Sequence, residues 1–448
     1  MRRREFLKSS SVLAAGAVVA PAMPHIARKS NVIILGAGLA GLGAAMKLKE
    51  MGANYTILEA RNRTGGRVFS HLIDPEQQLN IELGAEWIGE SHTEMLGLCE
   101  RFGLEVLDHR FDTALLIDGA YSPAKQWAYS DAYKQLEERL AAAKTFSTKQ
   151  DREVDGTDWW RYLKRLGLSD RDMEIRELLD STDFGESIRN VSAYAALSEY
   201  AWSSPKNEMD YIVKGGNSRL IEKMVEDIGE EHIHTQHKAV EVRQAGGQVT
   251  VRCENGKSFT ADKVICTLPT FAISQIRWEP AFPDAKQEAL DALQYCRIMK
   301  LSVLFSERFW KEEGYDLITD TQAHYFFHST KLQPGKGGAL TSYSTGDRAY
   351  VISKLNQEQK KQMVAEALRI PFGKVDQYIQ KVVSYYWGGD AHTQGAYAIY
   401  DSGQWFSLLP ALHKRFKHIH FAGEHIAEWQ GFMEGALITG REAAEAAG

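Results

Sequence analysis

The sequence predicts a mixed α/β fold in which a parallel sheet is joined to a second domain of sheet and helices. Short apolar runs such as residues 32–35 predict buried strands, while the periodic pattern at residues 133–144 predicts a helix. Alternating residues within 239–269, interrupted by Gly246-Gly247 and Asn255-Gly256, predict hairpins. The 448 residues, 44% of them hydrophobic, are enough for two or three domains with sizeable cores.

The first predicted strand leads into a dinucleotide-binding fingerprint. Residues 32–35 are followed by Gly36, Gly38 and Gly41 in the spacing G-x-G-x-x-G, with Ala40 inside it, and a helical pattern continues from there. Such glycines permit a tight turn and a close approach of the backbone to a pyrophosphate, whose charge the helix N-terminus would stabilise. The order of strand, turn and helix predicts a Rossmann-like domain.

A second predicted strand, residues 55–58, ends in an acidic residue. Glu59 lies about twenty residues beyond the glycines, where this fold places an acid that accepts hydrogen bonds from ribose hydroxyls. A carboxylate at this place disfavours a ribose that carries an extra phosphate.

The N-terminus has the pattern of a twin-arginine export signal. The basic run R-R-R-E-F-L-K at residues 2–8 precedes an alanine-rich apolar stretch, and small residues follow at 20–22. The apolar stretch is too short for an ordinary transmembrane helix, although a basic arm or a membrane anchor is an alternative. Residues 1–22 are predicted to be a signal peptide recognised by the twin-arginine export machinery, and the mature protein is expected in a periplasm or outside the cell.

Composition excludes several classes of function. The formal net charge of −6 argues against nonspecific nucleic-acid binding, which favours a basic surface. The four cysteines are widely spaced without a C-x-x-C pair, so neither a zinc site nor a redox dithiol is indicated, and a disulfide is possible after export. Trp159, Trp160 and Trp202 are expected to be packing groups.

Four separated segments carry a family resemblance. They are E-A-R-x-R-x-G-G-R at residues 59–67, L-G-A-E-W-I-G at 83–89, the predicted strand around Lys300, and F-A-G-E-H…W-Q-G-F-M-E-G-A at 421–436. On these motifs the chain resembles the flavin-containing amine oxidases, a group that includes monoamine, polyamine and L-amino acid oxidases. Since the motifs occur in family order along nearly the whole mature chain, the resemblance implies that fold and FAD as the cofactor.

The resemblance also implies a discontinuous FAD-binding domain, residues 30–89, 216–284 and 387–448, and a substrate-binding domain, residues 90–215 and 285–386. The implied FAD contacts include the backbone at Ala239 beside the adenine and the Glu424 acid near the ribityl-phosphate region. The full set is Gly36, Gly38, Ala40, Gly41, Glu59, Ala60, Arg61, Gly66, Arg67, Gly84, Ala85, Glu86, Trp87, Ala239, Trp387, Gly423, Glu424, Gln430, Gly431, Phe432, Met433 and Ala436.

Three residues are implied in the chemistry. Period-two alternation places Lys300 and Ser302 on one face of a predicted strand, a pattern that by itself is typical of an exposed lysine. The family strand that this segment resembles carries a lysine that holds a water against the reactive flavin nitrogen. Tyr397 and Phe432 match the two family aromatics that flank the amine in front of the flavin. Ala396 stands where animal monoamine oxidases carry the cysteine that bonds the flavin, which implies noncovalent FAD.

The implied reaction is hydride transfer from the carbon bearing the amine to the flavin. The resulting imine is hydrolysed to a carbonyl product and ammonia or a smaller amine, and oxygen is reduced to hydrogen peroxide. Activity is expected to rise with pH through the amine pKa of the bound substrate, because only the neutral amine can release hydride.

The sequence leaves the substrate and the electron acceptor open. Glu86, Glu90 and His92 favour a cationic or simple amine, whereas Arg297 could hold the carboxylate of an amino acid. The alternatives are an L-amino acid oxidase, a dehydrogenase that passes electrons to a periplasmic cytochrome, and a flavoprotein that binds a partner or a lipid without turnover. A homo-oligomer is possible.

Overall fold

The computed structural model describes residues 30–448, so the predicted signal peptide lies outside the described residues. Within that range there are twenty-two strands: β1 Asn31–Leu35, β2 Asn54–Leu58, β3 Ser70–Asp74, β4 Leu79–Glu82, β5 Val106–Asp108, β6 Asp112–Ile117, β7 Ala120–Ser122, β8 Tyr211–Val213, β9 Ile233–His234, β10 Ala239–Ala245, β11 Gln248–Cys253, β12 Ser258–Ala261, β13 Lys263–Cys266, β14 Arg277–Glu279, β15 Gln294–Tyr295, β16 Ile298–Phe305, β17 Tyr315–Thr319, β18 Tyr325–His328, β19 Gly338–Thr345, β20 Ile379–Tyr386, β21 Ala398–Ile399 and β22 Ile419–Phe421. The same residues form fourteen α-helices: α1 Leu39–Glu50, α2 Thr93–Arg101, α3 Lys134–Ala143, α4 Thr148–Asp155, α5 Trp159–Arg165, α6 Asp170–Phe184, α7 Ala193–Trp202, α8 Ser218–Ile228, α9 Thr270–Ser274, α10 Asp284–Ala292, α11 Gly346–Ser353, α12 Gln357–Phe372, α13 Trp405–His413 and α14 Met433–Ala447.

A five-stranded parallel sheet carries the glycine fingerprint, and its strand order is β22-β13-β1-β2-β9. Alternate residues of β1 pack into two different cores, because successive side chains of a strand point to opposite faces. Val32 and Ile34 pack with α1, α8 and α14, whereas Ile33 and Leu35 pack with β10, β11 and α13. Burial on both faces explains why this strand has a continuous apolar sequence.

The last helix of the chain, α14, packs directly on α1. A Cβ atom added at Gly440 would lie 2.0 Å from the carbonyl oxygen of Ala40, so only glycine permits this approach of the two backbones. The C-terminal helix thereby returns to the N-terminal fingerprint.

The second sheet has seven strands in the order β20-β16-β19-β18-β17-β6-β7. In its central strand β16, Met299, Leu301 and Val303 pack against α11 and α12. The other face of β16 is also buried, since Ile298 packs with α6 and Lys300 is only 2% exposed. The predicted alternation is therefore confirmed, but neither face of the strand is solvated.

The strands of the two sheets come from different ranges of the chain. The five parallel strands lie within residues 30–89, 216–284 and 387–448, and the seven strands lie within 90–215 and 285–386. Helix α2 packs with the core of the parallel sheet, although the predicted boundary assigns it to the other domain. The predicted hairpins within 239–269 are confirmed, as β10, β11 and β12 pair antiparallel.

Two further packing predictions differ in outcome. Trp159 is fully buried, but Trp202 is 46% exposed at the end of α7, where Lys144 lies 5.4 Å from its ring, so the packing prediction for Trp202 is wrong.

All four cysteines are buried free thiols. No helix within residues 30–448 combines the length and the apolar character needed to span a membrane.

Candidate active site

One cavity opens where the carboxyl ends of the parallel strands meet β16. Such edges are where ligands bind in open α/β sheets. Of the residues that the resemblance implicates, Gly41 alone does not line this cavity. The lining residues among them are Gly36, Gly38, Ala40, Glu59, Ala60, Arg61, Gly66, Arg67, Gly84, Ala85, Glu86, Trp87, Ala239, Lys300, Trp387, Tyr397, Gly423, Glu424, Gln430, Gly431, Phe432, Met433 and Ala436.

The glycines of the fingerprint have separate tasks. Gly36 has a φ of +102°, which favours glycine at the end of β1. A Cβ atom at Gly41 would lie 2.0 Å from the carbonyl oxygen of Gly36, so Gly41 lets α1 pack against the turn behind the cavity. Gly65 brings the second glycine turn alongside, because its amide donates to the Ala37 carbonyl over 2.8 Å. Glycines of both turns therefore present backbone to the cavity, and they are Gly36, Gly38, Gly65 and Gly66.

Two helices begin at the cavity without a side-chain cap. Neither Gly38, before α1, nor Phe432, before α14, supplies a capping hydrogen bond. The one acid in the first turn of α14, Glu434, instead accepts from the amides of Glu94 and Met95 over 3.0 and 2.9 Å. Free N-terminal amides with their positive dipole ends stabilise an anion. This arrangement fits the pyrophosphate and the electron-rich ring of FAD.

Glu59 is fixed by the backbone of the fingerprint itself. Its Oε2 accepts from the amide of Ala37 over 2.8 Å, and its Oε1 accepts from the amide of Arg61 over 2.7 Å. The carboxylate is nearly buried and lines the cavity. A carboxylate oxygen can accept more than one hydrogen bond, so Glu59 keeps the capacity to bind ribose hydroxyls.

Two arginines of the E-A-R-x-R-x-G-G-R segment form ion pairs with distant acids. Arg61 donates to both carboxylate oxygens of Asp390 over 2.9 and 2.6 Å. Burial raises the pKa of Asp390, but hydrogen bonds from Arg61 and Tyr385 outweigh it and hold that pKa well below its usual range. Arg67 donates to Glu424 over 2.5 Å, which connects the N-terminal and C-terminal segments.

Sequence reasoning missed Asp390, because nothing in its local sequence indicates that it receives an arginine 329 residues away.

Lys300 is the centre of a buried charged network. Its Nζ donates to Glu86 Oε2 over 2.6 Å, and the other carboxylate oxygen lies 3.1 Å from His109 Nε2. Burial raises the pKa of Glu86, but the positive charge of Lys300 and the hydrogen bond to His109 outweigh burial. The pKa of Glu86 is therefore below its usual value. The neighbouring Glu82 has its pKa raised to about 8 by burial and by the Glu86 charge.

These contacts correct the expectation that Glu86 helps to hold a cationic substrate, since its carboxylate is already paired with Lys300. The rings of Trp87, Phe327 and Tyr343 lie 5.7 to 5.9 Å from the ammonium nitrogen of Lys300. Aromatic faces at this distance stabilise a cation.

The two predicted aromatics line the same part of the cavity. Tyr397 lies beside Gly431, where an added Cβ would be 3.3 Å from the tyrosine ring, and Phe432 follows next in the chain. The Tyr397 hydroxyl donates to the backbone carbonyl of Asp183 over 2.9 Å and lies 3.0 Å from the hydroxyl of Tyr343. These bonds fix the orientation of the Tyr397 ring.

Sequence reasoning missed the wall formed by α6, α7 and the loop after α7. It adds apolar, amide and acidic side chains, and no motif in the sequence marks them. They are Thr182, Asp183, Phe184, Glu199, Asn207 and Met209.

Three residues suggested for substrate recognition lie outside the cavity. Glu90 is exposed, and His92 is buried with its pKa lowered to about 3 by desolvation, which leaves the ring neutral. Arg297 pairs with Glu186 over 3.1 Å and with Asp347 over 2.9 Å. The expected roles of Glu90 and His92 for a cation and of Arg297 for a carboxylate are therefore wrong.

The parallel sheet, the glycine turns and the cavity together define a dinucleotide-dependent oxidoreductase. The chain belongs to the flavin containing amine oxidoreductase family, whose model matches residues 39–447, and it is therefore an FAD-dependent oxidoreductase that acts on amines.

Similar proteins agree with this assignment. A probable flavin-containing monoamine oxidase A of Dictyostelium discoideum is 23% identical over 92% of this chain and 95% of its own length. An L-amino-acid oxidase of Siganus canaliculatus is 26% identical over 94% of this chain and 86% of its own length. The solved structure of cyclohexylamine oxidase from Brevibacterium oxydans IH-35A has the same fold, with a TM-score of 0.83 at 20% identity, covering 94% of this chain and 99% of that one.

Proposed function

We propose that this protein oxidises amines rather than amino acids, with noncovalently bound FAD and oxygen as the electron acceptor. The observation that favours amines over amino acids is that the cationic side chains of the cavity are already paired with carboxylates. Each lysine or arginine that lines the described cavity has a carboxylate partner, so none is left to hold a substrate carboxylate. The pairs are Arg61 with Asp390, Arg67 with Glu424, Lys238 with Glu254 and Lys300 with Glu86.

Bound FAD would supply the chemistry of the reaction, since its ring accepts a hydride from the carbon that bears the amine. The residues that would hold it are the two glycine turns, Glu59, Arg67 and the free amides at the start of α14. Tyr397 and Phe432 would orient the neutral amine and exclude water from it. Lys300, whose Nζ is fixed by its hydrogen bond to Glu86, would hold a water for reoxidation or for hydrolysis of the product imine.

Noncovalent attachment follows from Ala396, which lines the cavity and offers no nucleophile. The test is acid precipitation of the purified protein followed by the absorbance of the supernatant. We expect all of the flavin to be released. Flavin that stays in the pellet would overturn this part of the proposal.

The substrate is tested by an anaerobic titration of the oxidised flavin band. Alkylamines, diamines and L-amino acids are added separately to the mature protein, and we expect rapid bleaching by amines that lack a carboxylate. Bleaching by amino acids alone would establish an amino acid oxidase instead. Reoxidation in air against reoxidation by cytochrome c then separates an oxidase from a dehydrogenase.

We also propose that residues 2–8 direct export of the folded protein by the twin-arginine route. The support is the R-R-R-E-F-L-K run before the apolar stretch. Full-length protein and an Arg3→Lys/Arg4→Lys variant are expressed in a bacterium with that pathway, and the periplasmic fraction is assayed for flavoprotein. We expect the variant to remain in the cytoplasm. Equal export of the two proteins would rule out this route.

A further inference from the structure

The wall of the cavity next to Tyr397 presents a carboxylate from the last turn of α6. Asp183 lines the cavity, and its backbone carbonyl accepts the hydrogen bond from the Tyr397 hydroxyl. The backbone of Asp183 is thus in direct contact with Tyr397, and both residues line the same cavity. A substrate held beside Tyr397 would share the cavity with the Asp183 carboxylate.

Asp183 has neutral partners only. Its Oδ2 accepts from the hydroxyl of Tyr200 over 2.7 Å, and the side chain of Asn207 also bonds to it. The nearby guanidinium of Arg176 is committed to Asp180, at 2.6 and 3.0 Å. Within residues 30–448, Asp183 therefore has no cationic partner. Burial, followed by the charge of Asp180, raises the pKa of Asp183 to about 7.

A second acceptor beside Asp183 lacks a donor. The Oδ1 atom of Asn207 is buried without a hydrogen-bond partner, and Asn207 lines the same cavity. A buried acceptor without a donor is unfavourable unless a ligand supplies one. Glu199 adds a further carboxylate to this wall, and Phe184 and Met209 add apolar surface. The side chains gathered here are suited to a group that donates several hydrogen bonds and carries a positive charge at the end of an alkyl chain.

We propose that Asp183, with Asn207 and Glu199, binds a second ammonium group of the substrate. The preferred substrate is then a diamine or polyamine whose reacting nitrogen is neutral at Tyr397 and Phe432, while its other nitrogen stays protonated. This inference rests on the proposed amine oxidation. It goes beyond it by assigning the substrate class and the residues that select it.

The test compares amines that differ by one charge. Diamines of three to six carbons are each paired with the monoalkylamine of equal heavy-atom number, and stopped-flow reduction of the bound flavin gives an apparent Kd and a limiting rate. For the best diamine we expect the efficiency of flavin reduction, the limiting rate divided by the apparent Kd, to exceed that of its monoamine by about 10- to 100-fold, mainly through Kd. Asp183→Asn should reduce the ratio of diamine efficiency to monoamine efficiency at least about tenfold.

The matched control is Asp170→Asn at the exposed start of the same helix, where the side chain pairs with Lys164. We expect the ratio of that variant to equal that of the unmodified protein. If Asp183→Asn does not retain flavin, Asn207→Leu decides the question, and it should lower the ratio by about three- to tenfold.

Two failures can be told apart. Bleaching by monoamines and diamines with equal efficiency, or an unchanged ratio in Asp183→Asn or in Asn207→Leu, would overturn the subsite and leave amine oxidation standing. Absence of bleaching by any amine would overturn the proposed function itself, and this inference with it.

Discussion

At the nucleotide end of the cavity most of the functional groups come from one stretch of chain, residues 36–67, whereas at the reacting end Glu86, Lys300, Tyr397 and Phe432 come from four separate segments. Glu59 is held by the amides of Ala37 and Arg61, at most 22 residues away. Lys300 and Glu86, by contrast, pair across 214 residues. Close backbone contacts between glycine turns are characteristic of the first region, although Arg61 and Arg67 also pair with distant acids there. In the second region, an ion pair between distant segments positions Lys300.

This difference predicts how substitutions at each end of the cavity disrupt the protein. A side chain added to the nucleotide end meets backbone atoms that cannot move aside. A side chain removed from the reacting end leaves a buried charge without its partner, which is costly in a low-dielectric interior.

The largest effect is expected from Gly41→Val at the nucleotide end. Its Cβ would meet the Gly36 carbonyl at 2.0 Å, so the turn and α1 must separate, at a cost above the ~3 kcal/mol of ordinary overpacking. We expect protein without bound FAD, measured as the ratio of flavin to protein absorbance. Gly97→Ala is the control, because its added Cβ meets nothing within 4 Å and the change favours helix α2. Normal flavin content in Gly41→Val would contradict the packing argument.

The next effect is expected from Lys300→Met at the reacting end. It leaves the buried Glu86 without Lys300 and with only its contact to His109, so we expect the free energy of unfolding to fall by about 3–5 kcal/mol. A Lys300→Met/Glu86→Leu double variant should recover most of that loss, because removing both charges removes the desolvation cost. Urea unfolding of both variants measures the coupling. A double variant less stable than the single one would show that the pair is not the source of the loss.

The same contrast explains what sequence could predict. The fingerprint, the second glycine turn and the strand that carries Lys300 are local patterns, and the structure places them in one cavity. The partners of Lys300 and Arg61 depend on how segments hundreds of residues apart meet, and Asp390 and His109 lie outside the four family motifs. Arg297 was misplaced because strand alternation gives a side chain's face but does not show which groups cover it.

A smaller effect is expected from Glu59→Gln, which returns to the nucleotide end. The amide keeps one acceptor oxygen but loses the other, so one of the bonds from Ala37 and Arg61 is lost together with the charge. We expect FAD affinity to fall about tenfold, the equivalent of 1–2 kcal/mol. Titration of flavin-free protein with FAD measures it. The exposed Glu76→Gln is the control, and equal affinity in both variants would contradict a role for Glu59.

The smallest effect is expected from Arg297→Ala, which tests whether the reacting end uses the cation that the sequence suggested. Arg297 is paired with Glu186 and Asp347 at a partly exposed position outside the cavity, and such surface pairs contribute less than about 1 kcal/mol. Flavin reduction by amines and by amino acids should then match that of Arg277→Ala, a control whose exposed guanidinium pairs with Glu241. A selective loss of amino acid oxidation in Arg297→Ala would instead mean that Arg297 reaches the substrate, and that the ion pairs described above do not hold it.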